Sequence, residues 1–172
     1  MTLARRRPID TVALWIAQGF GIGRIPFAPG TLGSILGFAW LFLLLAFGEP
    51  LIYALGSVFG IILSIWSAGR AEKILGKTDP GSVVIDEIVA IPFCFVGLFI
   101  SHRNTGTFYH PAYFQNHLGM LVIIFIAFRL FDILKPWPIN RSQKLSGGWG
   151  ITVDDLLAAG YVNLVWLIPI FR

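Results

Sequence analysis

Five carboxylates carry most of the chemical promise of this sequence: Asp86 and Glu87, Asp132, and the pair Asp154 and Asp155, each at the edge of an apolar stretch. One carboxylate inside a membrane helix costs about 2.5–3.5 kcal/mol, so five would cost on the order of 10 kcal/mol, comparable with a whole domain's stability. A lone carboxylate at a helix end can simply be solvated. Three independent groups at one depth are better explained by convergence on a cation, and oxygen-only donors suit Mg²⁺, Mn²⁺ or Ca²⁺. Zinc is not expected, because His102, His110 and His117 fall together in a different loop, where solvation accounts for them. The single cysteine, Cys94, lies in an apolar run and reads as packed core, with no disulfide within the chain or Cys-based metal site open to it.

Basic and hydroxyl groups form the second set. From Gly19 to Ser34 five glycines and two prolines precede an apolar segment, with Arg24 among them. Thr31 or Ser34 can cap the helix that follows, and free N–H groups at its start offer an anion seat. No Gly-Lys-Ser/Thr follows and no strand precedes, so neither a P-loop nor a dinucleotide fingerprint is present. Close packing of glycines before a membrane helix is the commoner alternative. Arg129 and Asp132 are three apart on one helix face, and Lys135 extends that face. An ordinary salt bridge explains Arg129 and Asp132 as well as catalysis does, but not Lys135 beside them. Pro136 and Pro138 end the helix. Gly147-Gly-Trp-Gly150 reads as a flexible turn that delivers Asp154 and Asp155.

The elements that must position these groups follow from composition. The chain has 172 residues, 56% hydrophobic and 13% charged, with a mean hydropathy of +0.76. Soluble domains carry about 25% charged residues, so too few polar groups are present to cover a wet surface. The expected fold is all-α: a polytopic membrane bundle of five spans and one N-terminal interfacial helix, forming a single domain over residues 1–172. The spans are Leu32–Phe47, Pro50–Gly69, Val83–Ile100, Leu118–Leu134 and Asp154–Phe171, against a working length of roughly 17–25 residues. Pro8–Gln18 is too short to span and reads as interfacial. Asp10 interrupts the stretch after Arg5, Arg6 and Arg7, so no cleavable signal peptide is expected.

With the N-terminus inside, eleven of thirteen Lys and Arg residues fall on the inner side, leaving Arg103 and Arg172 outside, a strong positive-inside bias. Eight of nine acidic residues fall inside as well, with only Glu49 outside. The bias rule does not require that, so the acidic asymmetry points to a site. The net charge of +4 is spread between apolar spans rather than along one polar face, so the bilayer rather than nucleic acid is the expected partner.

Four blocks together resemble the phosphatidylglycerophosphatase A family: Arg24-Ile-Pro-Phe-Ala-Pro-Gly-Thr-Leu-Gly-Ser34, Asp79-Pro-Gly-Ser-Val-Val-Ile-Asp-Glu-Ile-Val89, Phe128-Arg-Leu-Phe-Asp-Ile-Leu-Lys-Pro-Trp-Pro-Ile139 and Gly147-Gly-Trp-Gly-Ile-Thr-Val-Asp-Asp155. They occur in the family's order, from about residue 19 to 160. The resemblance implies a magnesium-dependent phosphatase of the bacterial inner membrane, facing the cytoplasm, that converts phosphatidylglycerophosphate to phosphatidylglycerol. It implies Mg²⁺ ligation by Asp86, Glu87, Asp132, Asp154 and Asp155, with Asp86, Asp132, Lys135 and Asp155 catalytic. It implies substrate binding by Arg24, Ser34 and Lys135, to which the residue reading above adds Thr31 and Arg129. Water is the preferred attacking group, with an aspartyl-phosphate intermediate as the alternative. Two departures are visible: Thr152 stands where methionine is common, and Asn140-Arg-Ser-Gln-Lys144 lacks the acidic residue common in that loop. The competing readings are a cation transporter built on the same carboxylates and another kind of lipid-phosphate phosphatase.

Overall fold

The computed structural model describes residues 7–101 and 110–165. Arg5, Arg6, His102, Arg103, Arg172 and the end of the fifth apolar segment lie outside them. The described residues are helical, with no strand. In order they form α1 (Pro8–Ala17), a 3₁₀ turn (Gly19–Arg24), α2 (Pro29–Leu45), α3 (Pro50–Leu75), α4 (Ile85–Phe93), α5 (Val96–Ser101), α6 (Pro111–Gln115), α7 (Leu118–Leu134), α8 (Ile139–Ser142) and α9 (Gly148–Val165).

Proline opens α1, α2, α3 and α6, where its missing N–H costs nothing and its fixed φ favours the helical turn. The short α1 and the start of α3 match expectation. Among the described residues one helix, α3, is both long and apolar enough to cross a membrane. The α7 helix has the bounds read from the sequence.

The third apolar segment is not one helix. It breaks between Phe93 and Val96, just after Pro92. Cys94 and Phe95 turn back with short N–H bonds to Ile91 and Pro92. The Asn163 amide on α9 stitches the break: Nδ2 donates to the Phe93 carbonyl at 2.6 Å and Oδ1 accepts from Gly97 N–H at 2.5 Å. An apolar interior would otherwise leave those groups unpaired at several kcal/mol each.

The fifth segment also differs. Its helix begins at Gly148, so Asp154 and Asp155 lie in the second turn of α9 rather than at its opening. Gly147-Gly-Trp-Gly150 is therefore mostly helix, not a flexible turn. Gly148 is needed for closeness, because a methyl group there would collide with the Ile65 carbonyl of α3.

Two apolar clusters fill the interior. Leu41, Leu45, Leu98, Phe114, Phe128 and Ala159 join α2, α5, α6, α7 and α9. Ala17, Ala68, Val84, Ile88 and Ile151 join α1, α3, α4 and α9. Buried Cys94 belongs to the first, as expected of a packed thiol.

Candidate active site

The starts of α2, α4 and α9 and the ends of α3 and α7 meet at one end of the bundle. The joints are close. Gly30 in the first turn of α2 abuts both the Glu87 carboxylate and the Arg129 guanidinium, and Gly69 of α3 abuts Gly148 of α9. A methyl group at Gly30 would push the Glu87 carboxylate out of its present position.

Asp86 and Glu87 occupy the first turn of α4. The positive end of a helix dipole favours carboxylates in that position. Facing them is Asp155 of α9, and one oxygen from each of the three lies within 4.8 Å of the others. These side chains are 7%, 9% and 3% exposed, so the cluster is cut off from bulk water. Asp86 Oδ1, Glu87 Oε2 and Asp155 Oδ2 have no hydrogen-bond partner. Buried carboxylate oxygens without donors are costly, and a hard cation satisfies three at once.

Cations stand against this cluster. Arg129 Nη1 pairs with Asp132 Oδ2 at 2.7 Å and approaches Glu87 Oε1 at 3.8 Å. Asp132 in turn adds its negative charge to the surroundings of Asp155. Lys135 Nζ donates to Asp154 Oδ2 at 2.6 Å. Burial disfavours the Lys135 ammonium, but the hydrogen bond and charge of Asp154 outweigh this and lift the amine above its ordinary value.

Lys135 does not extend the Arg129–Asp132 helix face as its spacing suggests. It caps α7 in the left-handed region at φ 43°, which turns its side chain away from that face and towards α9. The other non-glycine residues with positive φ among those described are Phe20, Ala28 and Asp79, all in the loops that lead into α2 and α4. Such backbone costs about 1–3 kcal/mol per residue and persists where surrounding structure enforces it.

The structure thus brings Asp86, Glu87 and Asp155 together, puts Asp132 and Arg129 beside them, and gives Asp154 to Lys135. It does not gather the remaining candidates in the same way. Ser34 is fully buried and its hydroxyl donates to the Gly30 carbonyl of its own helix at 2.9 Å. Neither Thr31 nor Ser34 caps α2, since that helix starts at Pro29 after Ala28, with no side-chain cap. Thr31 is half-buried in the first turn of α2. Arg24 is exposed and donates to Gln18 Oε1 at 2.7 Å. His110 and His117 stand at the start of α6 and of α7, at the opposite end of α7 from Asp132.

Sequence reasoning missed a cavity of about 200 Å³ on the outer side of Asp154, lined by Glu72, Thr78, Asp79, Gln143 and Gly147 among others. Glu72 lies outside the four quoted blocks, whereas Asp79 and Gly147 lie within them. Nothing in local spacing brings the end of α3 to the start of α9.

A family model described as phosphatidylglycerophosphatase A matches residues 15–170. The chain belongs to the phosphatidylglycerophosphatase A family. It is 32% identical over 144 residues to the Escherichia coli protein named phosphatidylglycerophosphatase A, covering 83% of this chain and 74% of that one. A Haemophilus influenzae protein of the same name is 35% identical over 151 residues, covering 87% and 83%. A Bacteroides thetaiotaomicron protein, provisionally named a phosphatidylinositol-3-phosphatase, is 31% identical over 151 residues, covering 85% and 86%. No solved structure matches. Membership of the phosphatidylglycerophosphatase A family makes the protein a phosphatase, and the acidic cluster with its flanking cations is its candidate centre.

Proposed function

We propose that the protein is a magnesium-dependent, multi-pass phosphatase of the bacterial inner membrane that hydrolyses phosphatidylglycerophosphate to phosphatidylglycerol and phosphate on the cytoplasmic side, a step in glycerophospholipid biosynthesis. The observation that carries this reading is the buried trio Asp86, Glu87 and Asp155, with three unpartnered oxygens beside two cationic side chains. The substrate comes from the names of the family and of two relatives.

Several features support a membrane setting beyond α3. Helices of 17 residues, as α2 and α7 are, reach about 26 Å, close to the ~30 Å hydrocarbon thickness. Leu55, Phe59 and Ile62 on α3 and Val122, Ile126 and Ile133 on α7 are all exposed, a disposition that lipid explains and water does not. The charged groups gather at one end of the bundle rather than along a midplane path, which supports hydrolysis over cation transport.

The donor set fits a hard divalent ion: Asp86, Glu87 and Asp155 would hold it, with Asp132 adjoining. When bound, Mg²⁺ neutralises phosphoryl oxygens and makes a bound water a better nucleophile. Arg129 and Lys135 then supply fixed positive charge to the transferring phosphoryl group, and Arg24 also meets it. Hydrolysis joins a water oxygen to phosphorus and frees the glycerol oxygen, so one proton must leave the water and one must reach the leaving oxygen. Asp132, held by Arg129 at 2.7 Å, is placed to take the first proton and to return it. Burial of the cluster excludes bulk water, which strengthens every charge interaction within it.

The test is phosphate release by purified protein from phosphatidylglycerophosphate, phosphatidic acid and phosphatidylinositol 3-phosphate, after chelation and after Mg²⁺ is restored. Release from phosphatidylglycerophosphate that requires Mg²⁺ is expected. Full activity under thorough chelation removes the metal from the reading, and preference for phosphatidylinositol 3-phosphate replaces the substrate.

A further inference from the structure

Gln18 is among the buried polar residues, 5% exposed, and no motif discussed above contains it. All its polar atoms are engaged. Its backbone carbonyl accepts from Gly21 N–H at 3.1 Å and Gly23 N–H at 2.9 Å, which folds the chain into the 3₁₀ turn. Its side-chain Nε2 donates to Ser82 Oγ at 3.2 Å, and its Oε1 accepts from Arg24 Nε at 2.7 Å. Two further contacts fasten the same turn to the loop before α4. Val84 N–H donates to the Ala17 carbonyl at 2.9 Å, and Gly23 packs on the Ser82 carbonyl so closely that any side chain would collide with it.

Gln18 therefore joins an exposed cation to the loop that leads into α4, whose first turn holds Asp86. An arginine has five N–H donors in a rigid planar fork. Fixing Nε at the stem fixes the plane of that fork and leaves both terminal amino groups for a ligand. Those terminal groups grip phosphate oxygens as a pair, so their orientation decides how well the grip is made. An exposed guanidinium would otherwise sample many rotamers and lose that freedom on each binding event.

We propose that Gln18 is a positioning residue for Arg24: it sets the guanidinium plane so that the two terminal amino groups meet the lipid phosphate. This rests on the reading that Arg24 binds substrate phosphate. Gln18 touches no substrate itself. Its contribution should appear in substrate affinity rather than in the chemical step.

The experiment measures kcat and KM separately for Gln18→Met, Gln18→Glu, Arg24→Ala and the Gln18→Met/Arg24→Ala double variant, with phosphatidylglycerophosphate in mixed micelles. Loss of a hydrogen bond to a charged group predicts a KM about tenfold higher for Gln18→Met, with kcat within about twofold. Gln18→Glu keeps an acceptor for both Arg24 Nε and the Ser82 hydroxyl, so KM should return to within about threefold of the parent. The double variant should be no worse than Arg24→Ala alone, because the residues act as one unit.

Additive losses in the double variant, or no recovery in Gln18→Glu, would overturn the proposal. So would a normal KM for Gln18→Met when Arg24→Ala is impaired; the phosphate-binding reading of Arg24 would then stand. A normal KM for Arg24→Ala itself sinks that reading and the positioning role with it. Ser82→Ala covers the case in which Gln18→Met does not fold. It frees Gln18 from the loop but leaves the bond to Arg24, so KM should stay within about threefold. A loss as large as that of Arg24→Ala would assign the effect to the loop tie and overturn the proposal.

Discussion

Replacing Asp155 with asparagine should make the metal-free protein more stable while removing its activity. One oxygen each of Asp86, Glu87 and Asp155 lies within 4.8 Å of the other two. Two unit charges at 4.8 Å repel by about 3.5 kcal/mol at an effective dielectric constant of about 20. Three such pairs amount to about 10 kcal/mol, and removing one charge of the trio relieves two of them, about 7 kcal/mol. That is an upper bound for fully ionised groups, since Arg129 offsets part of the repulsion and crowded buried carboxyls take up protons instead of bearing all of it. If a third survives, about 2 kcal/mol, the midpoint of thermal unfolding in chelator should rise by roughly 4–8 °C for a chain of this size. The assay is thermal unfolding of detergent-solubilised protein, with chelator and with Mg²⁺, for the parent and Asp155→Asn. The parent should gain stability on adding Mg²⁺, whereas the variant should respond little and lose turnover by several orders of magnitude. A variant less stable than its parent in chelator, or equally stabilised by Mg²⁺, would refute the view of these carboxylates as a charge trap for a cation.

Three other outcomes follow from the geometry. Lys135→Met removes the one cation on buried Asp154 and leaves it the Asp155 N–H at 3.1 Å and Gln143 at 3.4 Å, so unfolding measurements should show a loss of about 3 kcal/mol, and turnover should fall with it. Gly148→Ala forces α9 away from the Ile65 carbonyl, which should cost about 1–3 kcal/mol and lower turnover by displacing Asp154 and Asp155, read by unfolding and phosphate release. Single cysteines at exposed Asn116 and Lys77 should label in intact cells at the first position and only after permeabilisation at the second; labelling at Lys77 from outside would invert the topology.

The helical class, the short first helix and the bounds of α7 were readable because they rest on local signals: apolar runs, initiating prolines and charges at the ends. The acidic residues were readable as a set for a related reason. Charge is so scarce in this chain that three groups at one depth stand out. What the sequence hid is set by partners far along the chain. The break after Pro92 is tolerated because Asn163, 70 residues away, satisfies the freed groups. The turn of Lys135 out of the α7 face depends on Asp154, 19 residues on. Glu72 gained its place beside the cavity only through the approach of α3 to α9 at Gly148. Gln18 was invisible for the same reason, since one of its side-chain partners is 64 residues away.

Charge balance links these placements to the reaction. The five carboxylates Asp86, Glu87, Asp132, Asp154 and Asp155 set against Arg129 and Lys135 leave three negative charges at the site, or two when exposed Arg24 is included. A phosphomonoester carrying nearly two negative charges would be repelled from such a site. The imbalance has to be met by cations from solution before a lipid phosphate can approach. The chain places its own cations accordingly. Arg129 and Lys135 are each committed to a carboxylate at 2.6–2.7 Å, so they stabilise the cluster first and offer only their remaining donors to substrate. Arg24 is bound to Gln18 through Nε instead, which leaves both terminal amino groups for the incoming phosphate. The helix ends act in the same sense, since α2 and α4 point their positive ends at the acidic cluster and partly offset its field. The two fixed cations hold the carboxylates together but leave too little positive charge to bind phosphate unaided, which is why the proposed reaction calls for a divalent ion.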